Sequence, residues 1–161
     1  MSGFDIIGDI HGRGSQLTQL LNSLGYQGAN HPDGRKLVFL GDYIDRGTEH
    51  ISALATVRSL VDAGTAVALM GNHEFNAVCF ARMGAEGPIR KHSEKNIRGH
   101  IKFLEEFPFG SEAHKEAIQW FETLPIAYET DGFRAIHACW HDPAFEACAP
   151  YMRDNVLTAE A

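Results

Sequence analysis

Three short segments hold the residues able to do chemistry together: Gly8-Asp9-Ile10-His11-Gly12, Gly41-Asp42-Tyr43-Ile44-Asp45-Arg46-Gly47 and Gly71-Asn72-His73-Glu74. Asp9 and His11 lie two apart, so at an extended strand end both side chains would project to one face. A carboxylate with an imidazole suits Mn²⁺, Fe²⁺ or Zn²⁺ better than Ca²⁺. Asp42 adds a second carboxylate and Asn72 a neutral carbonyl oxygen. A carboxylate can bridge two metals, and two metals about 3.5–4 Å apart can activate a water and hold both oxygens of an in-line displacement. Arg46 offers a fork-shaped cation for a phosphate. His73 could protonate a leaving alkoxide, with Asp45 orienting its ring. The glycines at 8, 12, 41, 47 and 71 allow sharp turns that bring backbone N–H groups towards phosphate oxygens.

The elements that must position these residues are legible in the apolar pattern. Phe4 to Ile7, Leu37 to Leu40 and Thr65 to Met70 read as short buried strands, each running into one of the three segments. Between them, Leu17, Leu20, Leu21 and Leu24 form a helical stripe that Ser15 would cap and Gly25 would stop. Asp33-Gly34 is a turn signal. Ile51, Leu54, Val57, Leu60 and Val61 form the next stripe, ended by Gly64, and Phe75 to Met83 begins another helix. Repeated strand–loop–helix units predict parallel strands and an α/β fold. Ligands in such sheets collect at the carboxyl ends of strands, where all three segments fall.

Beyond these units the pattern is weaker. Residues 84–98 read as a loop carrying Arg90, Lys91, His92, Lys95 and Arg98 among Glu86 and Glu94, better explained as solvated than as an anion site. Ser111 to Leu124 reads as a helix stopped by Pro125. Ile126 to Tyr128 and Phe133 to His137 predict a hairpin across Asp131-Gly132. The segment from Ala149 to Ala161 is weakly helical.

Composition bounds the function. A length of 161 residues predicts one domain over residues 1–161, and 44% apolar with 22% charged residues is ordinary for a globular protein. A formal net charge of −7 argues against nucleic-acid or anionic-membrane partners. No apolar stretch predicts a membrane span, and the absence of a basic segment leading into an apolar signal core makes the cytoplasm the expected location. Cys79, Cys139 and Cys148 lack a CxxC arrangement, so reduced, mostly buried thiols are expected rather than disulfides or a zinc site. His31, His50, His92, His100 and His114 read as ordinary surface or partly buried residues, and Trp140 as a core residue or a platform for a substrate ring.

GDIHG, GDYIDRG and GNHE, in this order, resemble the signature of calcineurin-like metallophosphoesterases. The branch is that of serine/threonine protein phosphatases and symmetrical diadenosine tetraphosphate hydrolases. The resemblance is strong over residues 3–80 and looser to about residue 142. It implies an α-β-β-α sandwich and two divalent ions, Mn²⁺ foremost, with Fe or Zn as alternatives. Asp9, His11 and Asp42 would hold the first ion, and Asp42 would bridge to a second held by Asn72 and His137. Arg46 would bind phosphate, and His73, backed by Asp45, would serve the leaving group. The implied reaction is direct attack of a metal-bound hydroxide on a phosphomonoester or nucleotide-type phosphoanhydride. A symmetrical dinucleoside tetraphosphate hydrolase and a protein phosphatase are the alternatives.

The family pattern also implies a further Gly-His segment after the penultimate histidine. After His137 the sequence offers only His141, and Gly99-His100 comes too early. The expectation is therefore a domain incomplete on its C-terminal side, lacking part of the second sheet. His141 would be a substitute ligand, an inactive metal-binding fragment the competing reading, and self-association through an exposed sheet edge a corollary.

Overall fold

The computed structural model describes residues 3–159. Strands β1 (Phe4–Ile7), β2 (Lys36–Phe39) and β3 (Ala66–Ala68) pair in parallel in the order β1-β2-β3. Helices α1 (Gly14–Ser23) and α2 (His50–Asp62) make the crossovers, and α3 (Asn72–Ala81) follows β3. Leu37 and Phe39 point to one face and Val38 to the other, as strand alternation demands. The first face meets Leu17 and Leu21 of α1, and Leu54, Val57 and Leu60 of α2, in the main core.

Two further helices, α4 (Glu94–Glu106) and α5 (Glu112–Phe121), follow a short hairpin of β4 (Met83–Gly84) and β5 (Gly87–Pro88). They join the main core through Phe103, Ile118 and Phe121. The opposite face of the sheet is covered by the antiparallel hairpin β6 (Ala127–Glu129) and β7 (Arg134–Ile136). There Val38, Leu69 and Ala135 are buried together against Phe4, Tyr128 and Phe133. The layers are thus helices, parallel sheet and a two-stranded second sheet. The chain continues through α6 (Asp142–Cys148), a 3₁₀ turn at Ala149–Tyr151, and the hairpin β8 (Met152–Arg153) and β9 (Val156–Leu157).

Several local expectations are corrected. Ser15 does not cap α1: Arg13 occupies that position without a side-chain bond, and the Ser15 hydroxyl donates to Glu49 instead. The stretch 84–98 is not one loop, because α4 begins at Glu94, capped by the Ser93 hydroxyl, which accepts from Asn96 N at 3.3 Å. The segment after Ala149 is not helical beyond one turn. Asp154 and Asn155, at φ 52° and 62°, make the left-handed turn of the β8–β9 hairpin, while Glu160 and Ala161 lie outside the described residues. The cysteines are free, but none is fully buried and Cys139 is exposed. His50, His100 and His114 are fully buried rather than at the surface or partly buried. Trp140 belongs to neither the core nor an open platform: it stacks on Phe145 at 4.6 Å with the Arg134 guanidinium on its ring.

Candidate metal centre

The three segments meet at the carboxyl ends of β1, β2 and β3. Their approach is close enough to require glycine: a Cβ on Gly41 would collide with the backbone of Gly71, and Gly41 itself sits at φ 109°. Four residues of the site also adopt left-handed backbone without being glycine: His11, Asp42, Asp45 and Arg46, with φ between 46° and 68°. Each such residue costs about 1–3 kcal/mol and persists only where its surroundings hold it. Here the holding bonds are explicit. Ile10 N and His11 N both donate to Asp42 O, at 3.0 and 2.9 Å, and Gly12 N donates to Tyr43 O at 2.7 Å.

Glu74 completes this clasp, and nothing in the sequence reading gave it a role. Fully buried at the start of α3, its carboxylate accepts from Asp42 N (2.8 Å), Tyr43 N (2.8 Å) and Gly71 N (3.0 Å). It ties the β2 loop to the N-terminus of α3. Burial, reinforced by the neighbouring Asp42 charge, pushes its carboxyl up to about 7 against the opposing pull of the three amides. The available signal was its spacing, three residues after the Gly71 cap, as in a capping box.

Atoms able to ligate a metal form two clusters that share Asp42. Side-chain donors of His11, Asp42 and His73 lie within 4.8 Å of one another, and so do those of Asp9, Asp42 and His137. The Asp42 carboxylate divides between them: Oδ2 is 3.9 Å from His11 Nε2 and 3.8 Å from His73 Nε2, whereas Oδ1 is 3.5 Å from His137 Nε2. Asp9 Oδ2 is 3.4 Å from His11 Nε2, although the two meet across a turn rather than along an extended strand. Asn72 is exposed and presents Oδ1 at 3.0 Å from His137 Nε2.

This arrangement fits divalent cations by a direct observation. His11 Nδ1–H donates to Ile44 O at 2.9 Å, which leaves Nε2 as a lone pair; that nitrogen is buried without a partner. His137 is set the same way, with Nδ1 on Leu40 O at 3.0 Å and Nε2 turned to the carboxylates. Ligating histidines usually have the far ring nitrogen fixed in this way, by a backbone carbonyl or a carboxylate. His141 instead caps α6, accepting from Ala144 N, and joins neither group among the described residues.

Beside the ligand groups, Asp45 is held between two imidazoles. His73 Nδ1 lies 2.6 Å from its Oδ2 and His100 Nδ1 lies 2.8 Å from its Oδ1. Burial alone would raise the Asp45 carboxyl, but the bonds from His100 and His73 outweigh it and hold it below its usual range. In return the Asp45 bond lifts His73, against desolvation. His100 was missed because it comes from α4, 55 residues away from Asp45. Arg46 is exposed on the same loop.

A calcineurin-like phosphoesterase family model matches residues 3–157. The chain belongs to that family. Over 132 residues it is 31% identical to a symmetrical bis(5'-nucleosyl)-tetraphosphatase of Aromatoleum aromaticum, covering 82% of this chain and 42% of the relative. Over 74 residues it is 47% identical to an asymmetrical bis(5'-nucleosyl)-tetraphosphatase PrpE of Anoxybacillus flavithermus, covering 44% of this chain and 30% of that one. The chain thus spans less than half the length of these relatives. Among solved structures, a cold-active protein tyrosine phosphatase of a Shewanella species superposes with a TM-score of 0.56 at 20% identity, over 91% of this chain and 46% of the other. A metallophosphoesterase from Sphaerobacter thermophilus gives 0.52 at 18% identity, over 81% and 44%. These two show the phosphoesterase fold. No helix among the described residues is long and apolar enough to cross a membrane.

Proposed function

We propose that this chain is a metal-dependent phosphoesterase acting on phosphomonoesters or nucleotide-type phosphoanhydrides. The observation that carries the reading is the divided Asp42 carboxylate, one oxygen facing His11 and His73 and the other facing His137. Asp9, His11 and Asp42 would hold one divalent cation, and Asp42, Asn72 and His137 a second. When bound, such cations polarise the phosphoryl oxygens and lower the pKa of water.

The chain's own residues would do the rest. His73, with Nδ1 committed to Asp45, keeps Nε2–H for the oxygen of the leaving group. Asp45 fixes that ring and favours its protonated form, and His100 fixes Asp45 from the other side. Arg46, exposed at the rim, supplies a fork for phosphate oxygens. The names of the relatives support a nucleotide-type substrate. The mixed carboxylate, amide and imidazole donors suit manganese, and the absence of disulfides suits a cytoplasmic setting. Ile6, exposed on the edge strand β1, supports self-association through that edge.

The test is Mn²⁺-dependent hydrolysis of p-nitrophenyl phosphate by the purified chain, compared with Asp42→Asn. We expect the substitution to lower kcat by about 100-fold or more, since it removes a charge shared by both ligand groups. Near-parental turnover in Asp42→Asn would overturn the reading.

A further inference from the structure

The turn that presents His11 rests on the start of α2. A Cβ on Gly12 would lie 2.6 Å from His50 Nε2, so the His50 ring is seated directly on that glycine. His11 and Gly12 are left-handed in succession, at φ 46° and 59°. Their carbonyls are held from the α2 side: Gly12 O accepts from Glu49 N at 2.9 Å, and His11 O from Gly47 N at 3.0 Å. A Cβ on Gly47 would collide with both of those oxygens, so the contact has no slack. Where residues 47–50 lie therefore sets where His11 lies.

Helix α4 holds that segment. Glu106, its last residue, reaches the start of α2, and its carboxylate accepts from His50 N at 2.9 Å, Ile51 N at 3.0 Å and His50 Nδ1–H at 2.5 Å. Two amides of the first turn of α2 gain the acceptor that a helix does not give them. Glu49, at the cap position itself, is committed elsewhere, to the amide and hydroxyl of Ser15. His50 is fully buried, and among the described residues the one hydrogen bond of its ring is that to Glu106. Burial would raise the Glu106 carboxyl, but the bonds from the His50 and Ile51 amides and the His50 ring hold it below its usual range, so it stays charged. The same helix grips the other end of the loop, where His100 bonds Asp45 at 2.8 Å. A rise of about 9 Å along α4 separates the two grips.

We infer that Glu106 is a positioning residue for the first cation site. It acts through His50 on the His11–Gly12 turn and touches neither a proposed ligand nor the reacting atoms. This rests on the proposed centre, in which Asp9, His11 and Asp42 hold that cation. Without the carboxylate, the His50 ring and the start of α2 are released, residues 47–49 relax, and His11 Nε2 loses its fixed aim. The second site is built on other elements: Asn72 opens α3, and His137 follows β7 with its ring fixed by Leu40 O. The effect is therefore specific to one site of the two.

Each site is isolated by removing a ligand of the other. Mn²⁺ is titrated calorimetrically into the metal-stripped chain carrying His137→Ala, which keeps the first site, or His11→Ala, which keeps the second. Adding Glu106→Ala should weaken Mn²⁺ binding about tenfold in the His137→Ala chain, the low end of the effect of residues that support ligands. It should leave the His11→Ala chain unchanged. If Glu106→Ala does not fold, Glu106→Gln, which keeps one acceptor oxygen, should give a smaller loss in the same chain only. Amide hydrogen exchange on the metal-free chain is the second measurement. Gly47 N–H and Glu49 N–H should exchange about tenfold faster in the Glu106 variant, while Leu40 N–H and Leu69 N–H, bonded within the sheet region, keep their protection. A residue that merely capped α2 would lower the melting midpoint and move neither readout. Unchanged affinity at the first site, an equal loss at both sites, or unchanged exchange at Gly47 and Glu49 overturns the inference. A parent chain that binds Mn²⁺ but does not hydrolyse p-nitrophenyl phosphate refutes the phosphoesterase reading alone, and the titration and exchange still decide the role of Glu106.

Discussion

Replacing Asp45 by Asn changes one oxygen to an amide and leaves the shape almost intact. The buried carboxylate accepts from His73 at 2.6 Å and from His100 at 2.8 Å, one ring to each oxygen. An amide has a single acceptor, so it satisfies only one ring N–H. The other ring must change tautomer or lose its bond. If His100 changes, a proton moves to Nε2, a buried atom with no partner. If His73 changes, its support from Asp45 is gone. Either outcome forfeits a charge-assisted bond of about 1.5–3 kcal/mol. Felt at His73 in the transition state, that is about a 10- to 100-fold loss of kcat at about 1.4 kcal/mol per decade. Stability should move less, because the same substitution relieves the desolvation of a buried carboxylate. Asp45 lies outside both donor clusters and His73 is not among the proposed ligands, so Mn²⁺ affinity and KM should hold. The assay is steady-state hydrolysis of p-nitrophenyl phosphate together with Mn²⁺ titration. A parental kcat in Asp45→Asn would refute the assignment of the His73–Asp45 pair to the leaving group. A kcat loss matched by lost Mn²⁺ binding would refute the separation of that pair from the metal ligands.

Two other outcomes follow from the same geometry. Glu74→Ala leaves the amides of Asp42, Tyr43 and Gly71 buried without their acceptor. At about 1–3 kcal/mol each, thermal melts should show a midpoint lower by about 6 °C or more; an unchanged midpoint would contradict the clasp. His114 is buried and its imidazole is held below its ordinary 6.5, first by desolvation and then by His100. The unfolded chain takes up that proton first, so this contribution to stability is present above 6.5 and is lost as pH falls through the folded value. His114→Phe should therefore gain more over the parent at about pH 5 than at about pH 8, and an equal gain at both would show that His114 titrates normally.

How much the sequence reveals depends on the range of each interaction. Strands β1 to β3 and helices α1 and α2 were legible because apolar periodicity and flanking glycines are local signals. The meeting of the three segments was legible because short segments at strand ends are brought together by any parallel sheet. Helix α4 was hidden because its buried positions are His100 and Phe103 among charged residues, so it reads as solvated chain. The role of His100 depends on Asp45, and that of Glu74 on the amides of Asp42 and Tyr43, partners far off in sequence that only the packed fold supplies. The grouping of ligands also departs from the simplest reading. His73 Nε2 lies close to the donors of His11 and Asp42 although its proton is assigned to the leaving group, and Asp9 lies near His137 as well as His11. The stretch 84–98 shows acids and bases alike, and among the described residues the ion pair within it is Arg98 with Glu94, set by helix spacing.

In the proposed mechanism one carboxylate, Asp42, serves two cation sites. Calorimetric titration of Mn²⁺ into the metal-stripped chain tests it without requiring turnover. Two ions should bind per parent chain, with affinity lost at both sites in Asp42→Asn. Two undisturbed sites in that variant, or a folded parent chain that binds no Mn²⁺, would contradict it.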